Sequence, residues 1–158
     1  MNMSTPNRPD SPADCRQPVM RTWQSLIMAR RRVLDAVAAD LKSQGLPSLG
    51  VCLVLIMLSL EAKKRLRPIE LERKLETPQY TMSRTLDRME KAGLIAREPC
   101  PEDGRSHHVR MTEAGEEAMK AIWPAYCAAI ERHLGGNLCD VSAGALADLL
   151  DRIGRPTG

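Results

Sequence analysis

The stretch Thr77–Gly115, TPQYTMSRTLDRMEKAGLIAREPCPEDGRSHHVRMTEAG, decides the fold. Its first part predicts a helix over residues 78–92, because Met82, Leu86 and Met89 recur at helical spacing and therefore share one face. The opposite face of this helix is polar and mainly basic, and it carries Tyr80, Arg84, Asp87, Arg88 and Lys91. The pattern predicts a helix that is buried on one side and charged on the other.

The ends of this helix carry the residues that usually bound one. Thr77 suits the N-cap, and Pro78 suits the first helical position, where its missing N–H costs nothing. Gly93 suits the left-handed residue that follows a helix. We therefore expect a short, well-capped helix.

A β-hairpin is predicted next, from residues 94–98 and 107–111. Val109 and Met111 alternate with polar neighbours, which indicates one inward and one solvent-facing side. The tip, residues 99–106, contains two prolines and a glycine, which disfavour continuous strand. We expect this tip to carry Arg105 outward, with Asp103 close enough to hold it extended.

These two motifs resemble those of a known family. The run DGRSHHVRMTEAG at residues 103–115 is similar to the wing signature of the MarR-type winged helix-turn-helix regulators, with Met111 where leucine is usual. The run SRTLDRMEKAGLI at residues 83–95 resembles their recognition helix. The resemblance implies a mainly α fold with a small β-hairpin wing, and dimers joined by N- and C-terminal helices.

Length and composition are those of one globular domain. Residues 1–18 contain four prolines among polar neighbours, so we expect a disordered tail before a single domain over residues 19–158. Within it we expect dimerisation helices in 19–47 and 112–158 and the winged-helix region in 48–111. The polar N-terminus and an apolar run of only 50–60 predict a cytoplasmic protein without a membrane span.

Helical periodicity and turn residues predict five further helices. The run from Val51 to Leu58 is apolar on all sides, which favours a helix at the centre of the core over the competing β-strand. Thr112 is the expected N-cap of the helix after the wing. The five predicted helices cover residues 19–43, 48–60, 67–75, 112–133 and 141–153.

Charge is unevenly distributed, although the net charge is only +3. Residues 61–110 hold 12 Lys and Arg against 9 Asp and Glu, whereas residues 111–158 hold 4 against 7. A basic region beside an acidic one suits a protein that lays one side on the phosphates of a nucleic acid.

A short basic helix followed by a basic hairpin predicts a partner, double-stranded DNA with a pseudo-palindromic operator. The helix 78–92 fits the major groove, and an arginine on the 99–106 wing fits the minor groove. Lys63, Lys64 and Arg65 could meet phosphate or only solvent. The predicted DNA-binding residues are Gln79, Tyr80, Thr81, Ser83, Arg84, Arg88, Asp103 and Arg105.

The resemblance also implies a homodimeric repressor with a small-molecule effector pocket between the dimerisation helices and the DNA-binding part. Candidate wall residues are Trp23, Met28, Met57 and Tyr126, for which core packing is the alternative role. A ligand there would act by changing the spacing of the two recognition helices.

No pattern of catalytic residues is recognisable, so we expect neither an enzyme nor a cofactor, and no metal site. Cys52 and Cys127 are interpreted as small core residues. Two alternatives remain open: a dimeric winged-helix protein-interaction module without DNA binding, and a regulator that senses oxidants through Cys15.

Overall fold

The structure is a computed structural model that describes residues 17–100 and 103–153, with the backbone alone at 103–106. A short 3-10 turn, Gly135–Asn137, precedes the last helix. The predicted fold class, mainly α with a winged helix-turn-helix, is confirmed. The elements are α1 (Gln17–Ser43), α2 (Leu49–Leu60), β1 (Arg65–Leu66), α3 (Pro68–Lys74), α4 (Gln79–Lys91), β2 (Ile95–Cys100), β3 (Asp103–Met111), α5 (Glu113–His133) and α6 (Asp140–Ile153).

The chain divides into two compact units within α1, between Asp35 and Ala36. In the first unit, Val19, Trp23 and Ile27 are exposed. The predicted tail of residues 1–18 lies outside the described residues except at its end, where α1 already begins at Gln17. The tail prediction was therefore two residues too long, because a proline in the first helical turn gives up no hydrogen bond.

The core of the second unit is built around α2. Cys52, Val54, Leu55 and Leu58 are almost completely buried, and α2 contacts α3, α4 and α5. A helix that is covered on several sides needs apolar residues around its whole circumference, which explains the unbroken apolar run. The prediction of a central helix rather than a strand is confirmed.

The wing belongs to a three-stranded antiparallel sheet with the strand order β1-β3-β2. The strand β1, which pairs Leu66 with Val109, was not foreseen as part of it. The prediction that Pro99 and the tip would interrupt the strands was wrong, because β2 and β3 continue past Pro99 to the pair Cys100 and Asp103. An edge strand such as β2 tolerates proline, and the register shifts between Pro99 and Cys100.

The segment between the wing and α5 holds the end of α4 in place. Gly93 has a φ of +73°, and its N–H bonds to Glu90 O, so the predicted left-handed end is confirmed. The Thr112 hydroxyl donates to Gly93 O at 2.6 Å and accepts from Gly115 N–H at 3.1 Å, which confirms it as the N-cap of α5. A Cβ at Gly115 would collide with Leu94 O, which explains the glycine.

The turn between α3 and α4 differs from the prediction by one residue. Pro78 occupies the N-cap position of α4, and the Thr77 hydroxyl donates to Leu75 O at 3.1 Å instead of capping the helix. The threonine is drawn to the end of α3 because Glu76, with a φ of +47°, turns the chain sharply there. The helix-turn-helix arrangement is unaffected.

Candidate nucleic-acid interface

Helix α4 has one buried face and one exposed face. Met82, Leu86 and Met89 are each 1% exposed, as their spacing predicted. Thr85 is also buried, and its hydroxyl bonds to Thr81 O at 2.9 Å, so it needs no partner from outside the helix. The exposed side chains of α4 are those of Gln79, Tyr80, Thr81, Ser83, Arg84, Arg88 and Lys91, of which all but Lys91 were predicted site residues. Six predicted site residues thus lie together on one exposed surface.

The N-terminus of α4 is electrostatically positive. No side chain caps it, and its first turn contains no acidic residue. The first backbone bond of the helix joins Met82 N–H to Pro78 O at 3.0 Å, which leaves the preceding N–H groups without helical partners. Such groups, together with the helix dipole, favour an approaching anion.

Arg97 of β2 neutralises the carboxylates of α4. Its Nη2 donates to Asp87 Oδ1 at 2.6 Å and its Nη1 donates to Glu90 Oε2 at 2.9 Å. The sequence placed Asp87 on the basic face without showing what would offset it. Because Arg97 binds both carboxylates, Arg84 and Arg88 are not opposed by free negative charge on their own helix.

Arg84 is held by a neutral neighbour, one turn earlier on α4. Its Nη1 donates to the Tyr80 hydroxyl at 3.1 Å, and its Cζ lies 5.4 Å from the centre of the Tyr80 ring. Tyr80 itself is 70% exposed. The pair is therefore exposed to solvent, and the orientation of the positively charged Arg84 side chain is already restricted.

Several other cations of this region are paired with carboxylates. Lys64 bonds to Glu116 at 2.7 Å, and this bond and charge hold the pKa of the Glu116 carboxyl below its usual range. Arg110 bonds to Glu98 at 2.6 Å. By contrast, Arg88 and Lys63 form no ion pair among the described residues. The suggested phosphate contact of Lys64 thus competes with an existing partner.

At the far end of the wing, residues 103–106, the structure describes the backbone alone. The strands β2 and β3 carry the hairpin outward to Asp103. The side chains of Asp103 and Arg105 lie outside the described residues, so their predicted roles stay predictions. Val109 and Met111 are buried, which confirms the predicted inward side of the hairpin.

The predicted effector-pocket residues fall into both compact units. In the first unit, Trp23 and Met28 are exposed, and Met28 borders a shallow hollow of about 330 Å³. In the second, Met57 is half-buried, and so is Tyr126, whose ring centre lies 6.2 Å from that of Trp123. Burial raises the pKa of the Tyr126 hydroxyl. Their role as pocket walls stays a prediction.

Helix α6 leaves its apolar residues uncovered. None of its residues is buried, and the exposed apolar ones at helical spacing are Leu146, Leu149, Leu150 and Ile153. An exposed apolar stripe of this kind is typical of an interaction surface.

The cysteines give a mixed result. Cys52 is buried, which confirms its interpretation as a core residue and raises the pKa of its thiol to about 11. Cys127 is exposed, so the same interpretation of this residue was wrong. The apolar pattern of α5 did not show which side of that helix stays open. Cys15 lies outside the described residues.

Comparison with known proteins shows which family this geometry resembles. The sequence profile described as MarR family matches residues 44–106, which span α2, the helix-turn-helix and most of the wing. AbsC from Streptomyces coelicolor, a MarR family transcriptional regulator, has a similar structure. Its TM-score is 0.78 and its identity 26%, over 88% of this chain and 93% of that one. The resemblance to the MarR family is confirmed.

Two further structures share the MarR-type fold. Sco3205 from S. coelicolor, a MarR family transcriptional regulator solved in complex with DNA, has a TM-score of 0.82 and 22% identity over 94% of this chain and 95% of that one. BpsR from Bordetella bronchiseptica, whose DNA binding is regulated by 6-hydroxynicotinic acid, has a TM-score of 0.71 and 19% identity, over 85% and 99%.

The family is one of transcriptional regulators rather than enzymes. Across the described residues, we find no helix with the length and apolar character that a membrane crossing requires.

Two features of the exposed face of α4 were not predicted from the sequence. The Arg97 bridge joins residues from separate elements, so no local spacing revealed it. The contact between Tyr80 and Arg84 could have been found, because residues four apart on a helix are neighbours.

Proposed function

We propose that this chain is a dimeric, sequence-specific DNA-binding regulator of transcription that acts as a repressor. Helix α4 enters the major groove, and the 99–106 wing reaches the minor groove. The observation that carries the proposal is the exposed face of α4, where Arg84 and Arg88 point outward while the carboxylates of the same helix are bound by Arg97.

The shape and polarity of α4 support insertion into a groove. Its exposed side is polar along the whole helix, and its uncapped N-terminus presents backbone donors with no acidic residue in the first turn. Recognition helices of this class contact base edges mainly with their N-terminal residues, which here are Gln79, Thr81 and Ser83. Exposed hydroxyl and amide groups suit this contact, because they donate and accept hydrogen bonds.

The wing supports a second contact with the same duplex. The hairpin of β2 and β3 is narrow, and the segment between Thr112 and Gly115 fixes its base against the end of α4. We place Arg105 in the minor groove, with Asp103 holding it extended. The positions of the helix and the wing are then coupled, so both engage together.

The uncovered apolar stripe of α6 and the exposed apolar residues of α1 support the proposed dimer. Two copies related by a twofold axis would present two α4 helices to one duplex. Such dimers bind half-sites about one helical turn apart, which predicts a pseudo-palindromic operator.

Regulation by a small molecule is a further part of the proposal. The half-buried ring of Tyr126 beside the exposed ring of Trp123 offers an apolar contact surface in the second unit, and the hollow beside Met28 offers one in the first. BpsR provides a precedent on the same fold for DNA binding that a small molecule regulates. An effector of this chain would act by binding one spacing of the α4 helices more tightly than the other. We also propose that the protein acts in the cytoplasm.

The test is the selection of bound sequences from a random duplex library with the full-length protein. We expect an inverted repeat with half-site centres about 10 base pairs apart. Replacing Arg84 and Arg88 together by alanine should weaken binding to the recovered duplex about 100-fold or more. The control is the pair Arg30→Ala and Arg32→Ala, which removes two exposed arginines of α1. Failure to enrich any sequence contradicts the proposal.

A further inference from the structure

We propose that Tyr80 is a positioning residue that orients Arg84 toward a guanine of the operator. This inference rests on the proposed function, and it adds which base Arg84 reads and why. The juxtaposition that carries it is the hydrogen bond of 3.1 Å from Arg84 Nη1 to the Tyr80 hydroxyl, together with the ring contact at 5.4 Å.

The hydrogen bond leaves the recognition edge of the guanidinium free. Nη1 is occupied by Tyr80, and no other bond of Arg84 occurs among the described residues. The Nε and Nη2 groups on the other edge are therefore available as a fork of two donors. Guanine presents two acceptors, O6 and N7, at matching positions in the major groove, and bidentate arginine is its most common partner.

The neutral character of the tyrosine preserves the charge of Arg84. Arg97 and Arg110 are held by carboxylates, which offset their positive charge. Arg84 is instead held by a phenol, and Asp87, the acidic residue three positions further along α4, is bound by Arg97. Arg84 therefore keeps its full attraction for an electron-rich base edge while its side chain is restricted in direction.

The exposure of Tyr80 argues that this ring is not a core residue. Met82, Leu86 and Met89 provide the packing of α4, whereas Tyr80 is 70% exposed on the opposite side. Removing its hydroxyl opens no cavity and breaks no buried bond. A Tyr80→Phe variant should therefore fold normally and isolate the effect of the hydrogen bond.

The experiment is library selection and anisotropy titration with the wild type, Tyr80→Phe, Arg84→Lys and Arg84→Ala. The wild type should prefer guanine over adenine at one position of each half-site by about tenfold or more. Arg84→Lys, which keeps the charge but loses the planar fork, should abolish this preference. Tyr80→Phe should reduce it to about threefold or less, while binding to a non-cognate duplex changes less than about twofold.

A double-mutant cycle separates positioning from an independent contact by Tyr80. When Arg84 is already alanine, the further change Tyr80→Phe should leave base preference unaltered. An unchanged guanine preference in Tyr80→Phe overturns the inference, and so does a guanine preference that Arg84→Lys retains. If the wild type binds no duplex, the proposed function itself fails. Intact binding with an unchanged preference contradicts only the role of Tyr80.

Discussion

Helices α4 and α6 are both amphipathic, but α4 buries its apolar face whereas α6 leaves its apolar face uncovered. In α4 the apolar residues are buried within the chain, and the exposed side is polar and cationic. In α6 no residue is buried, and the exposed side includes Leu149 and Ile153. The difference shows that the two helices require different partners. A cationic face suits a polyanion, whereas an apolar stripe suits another apolar surface.

This contrast predicts a separate task for each of the two helices. The surface of α4 is complete in one copy, because its packing and its charge pairing are satisfied by α2, α3 and β2. The apolar stripe of α6 is uncovered in one copy, and we propose that a second copy covers it. A regulator that reads a twofold-symmetric site needs both properties, one to contact the bases and the other to set the distance between two readers.

The largest effect should come from placing charge in the apolar stripe of α6. The double substitution Leu149→Glu and Ile153→Glu should convert the dimer to monomers, because burying two carboxylates in an apolar interface is strongly unfavourable. Light scattering after gel filtration measures the mass. Operator affinity should fall about 100-fold or more, since the second half-site is then no longer held at high effective concentration.

The matched control is Val141→Glu, which adds a charge to the same helix at a position outside the stripe. Val141 is 83% exposed and lies in the first turn of α6, about two turns before Leu149. This variant should remain dimeric. A dimer that survives the double substitution would contradict the proposed role of α6 in the dimer interface.

A smaller effect should follow from removing the bridge that keeps α4 cationic. Arg97→Ala frees the carboxylates of Asp87 and Glu90 beside Arg84 and Arg88, so operator affinity should fall about tenfold. The free energy of unfolding should fall by only about 1 kcal/mol, because the pairs are partly exposed. Anisotropy titration and urea denaturation measure the two quantities.

The control for this variant is Arg110→Ala, which breaks the bond between Arg110 and Glu98 in the sheet and a bond of 3.3 Å from Arg110 Nη1 to Met111 O. It removes the same charge and a bond of the same length without freeing a carboxylate of α4. Equal losses of affinity in the two variants would show that total charge matters and that the bridge does not.

The face of α4 and the motifs around it were predictable from sequence because they depend on local spacing. Met82, Leu86 and Met89 lie where helical periodicity places them, and Thr112 and Gly93 bound their helices as expected. The extended wing strands were not predictable, because whether Pro99 interrupts a strand depends on its place at the edge of the sheet. The pairing of the Asp87 carboxylate with Arg97 was not predictable either, because it depends on a tertiary contact between α4 and β2.

The most direct test of the account is the salt dependence of wild-type binding to the library-selected duplex, measured by anisotropy. Two α4 helices and two wings touching phosphates predict a slope of about −5 or steeper for log affinity against log salt concentration, equivalent to roughly six released counterions. The complex should contain two chains per duplex, and a duplex with one half-site should bind far more weakly. A slope near zero, or equal affinity for one half-site and two, would contradict the account.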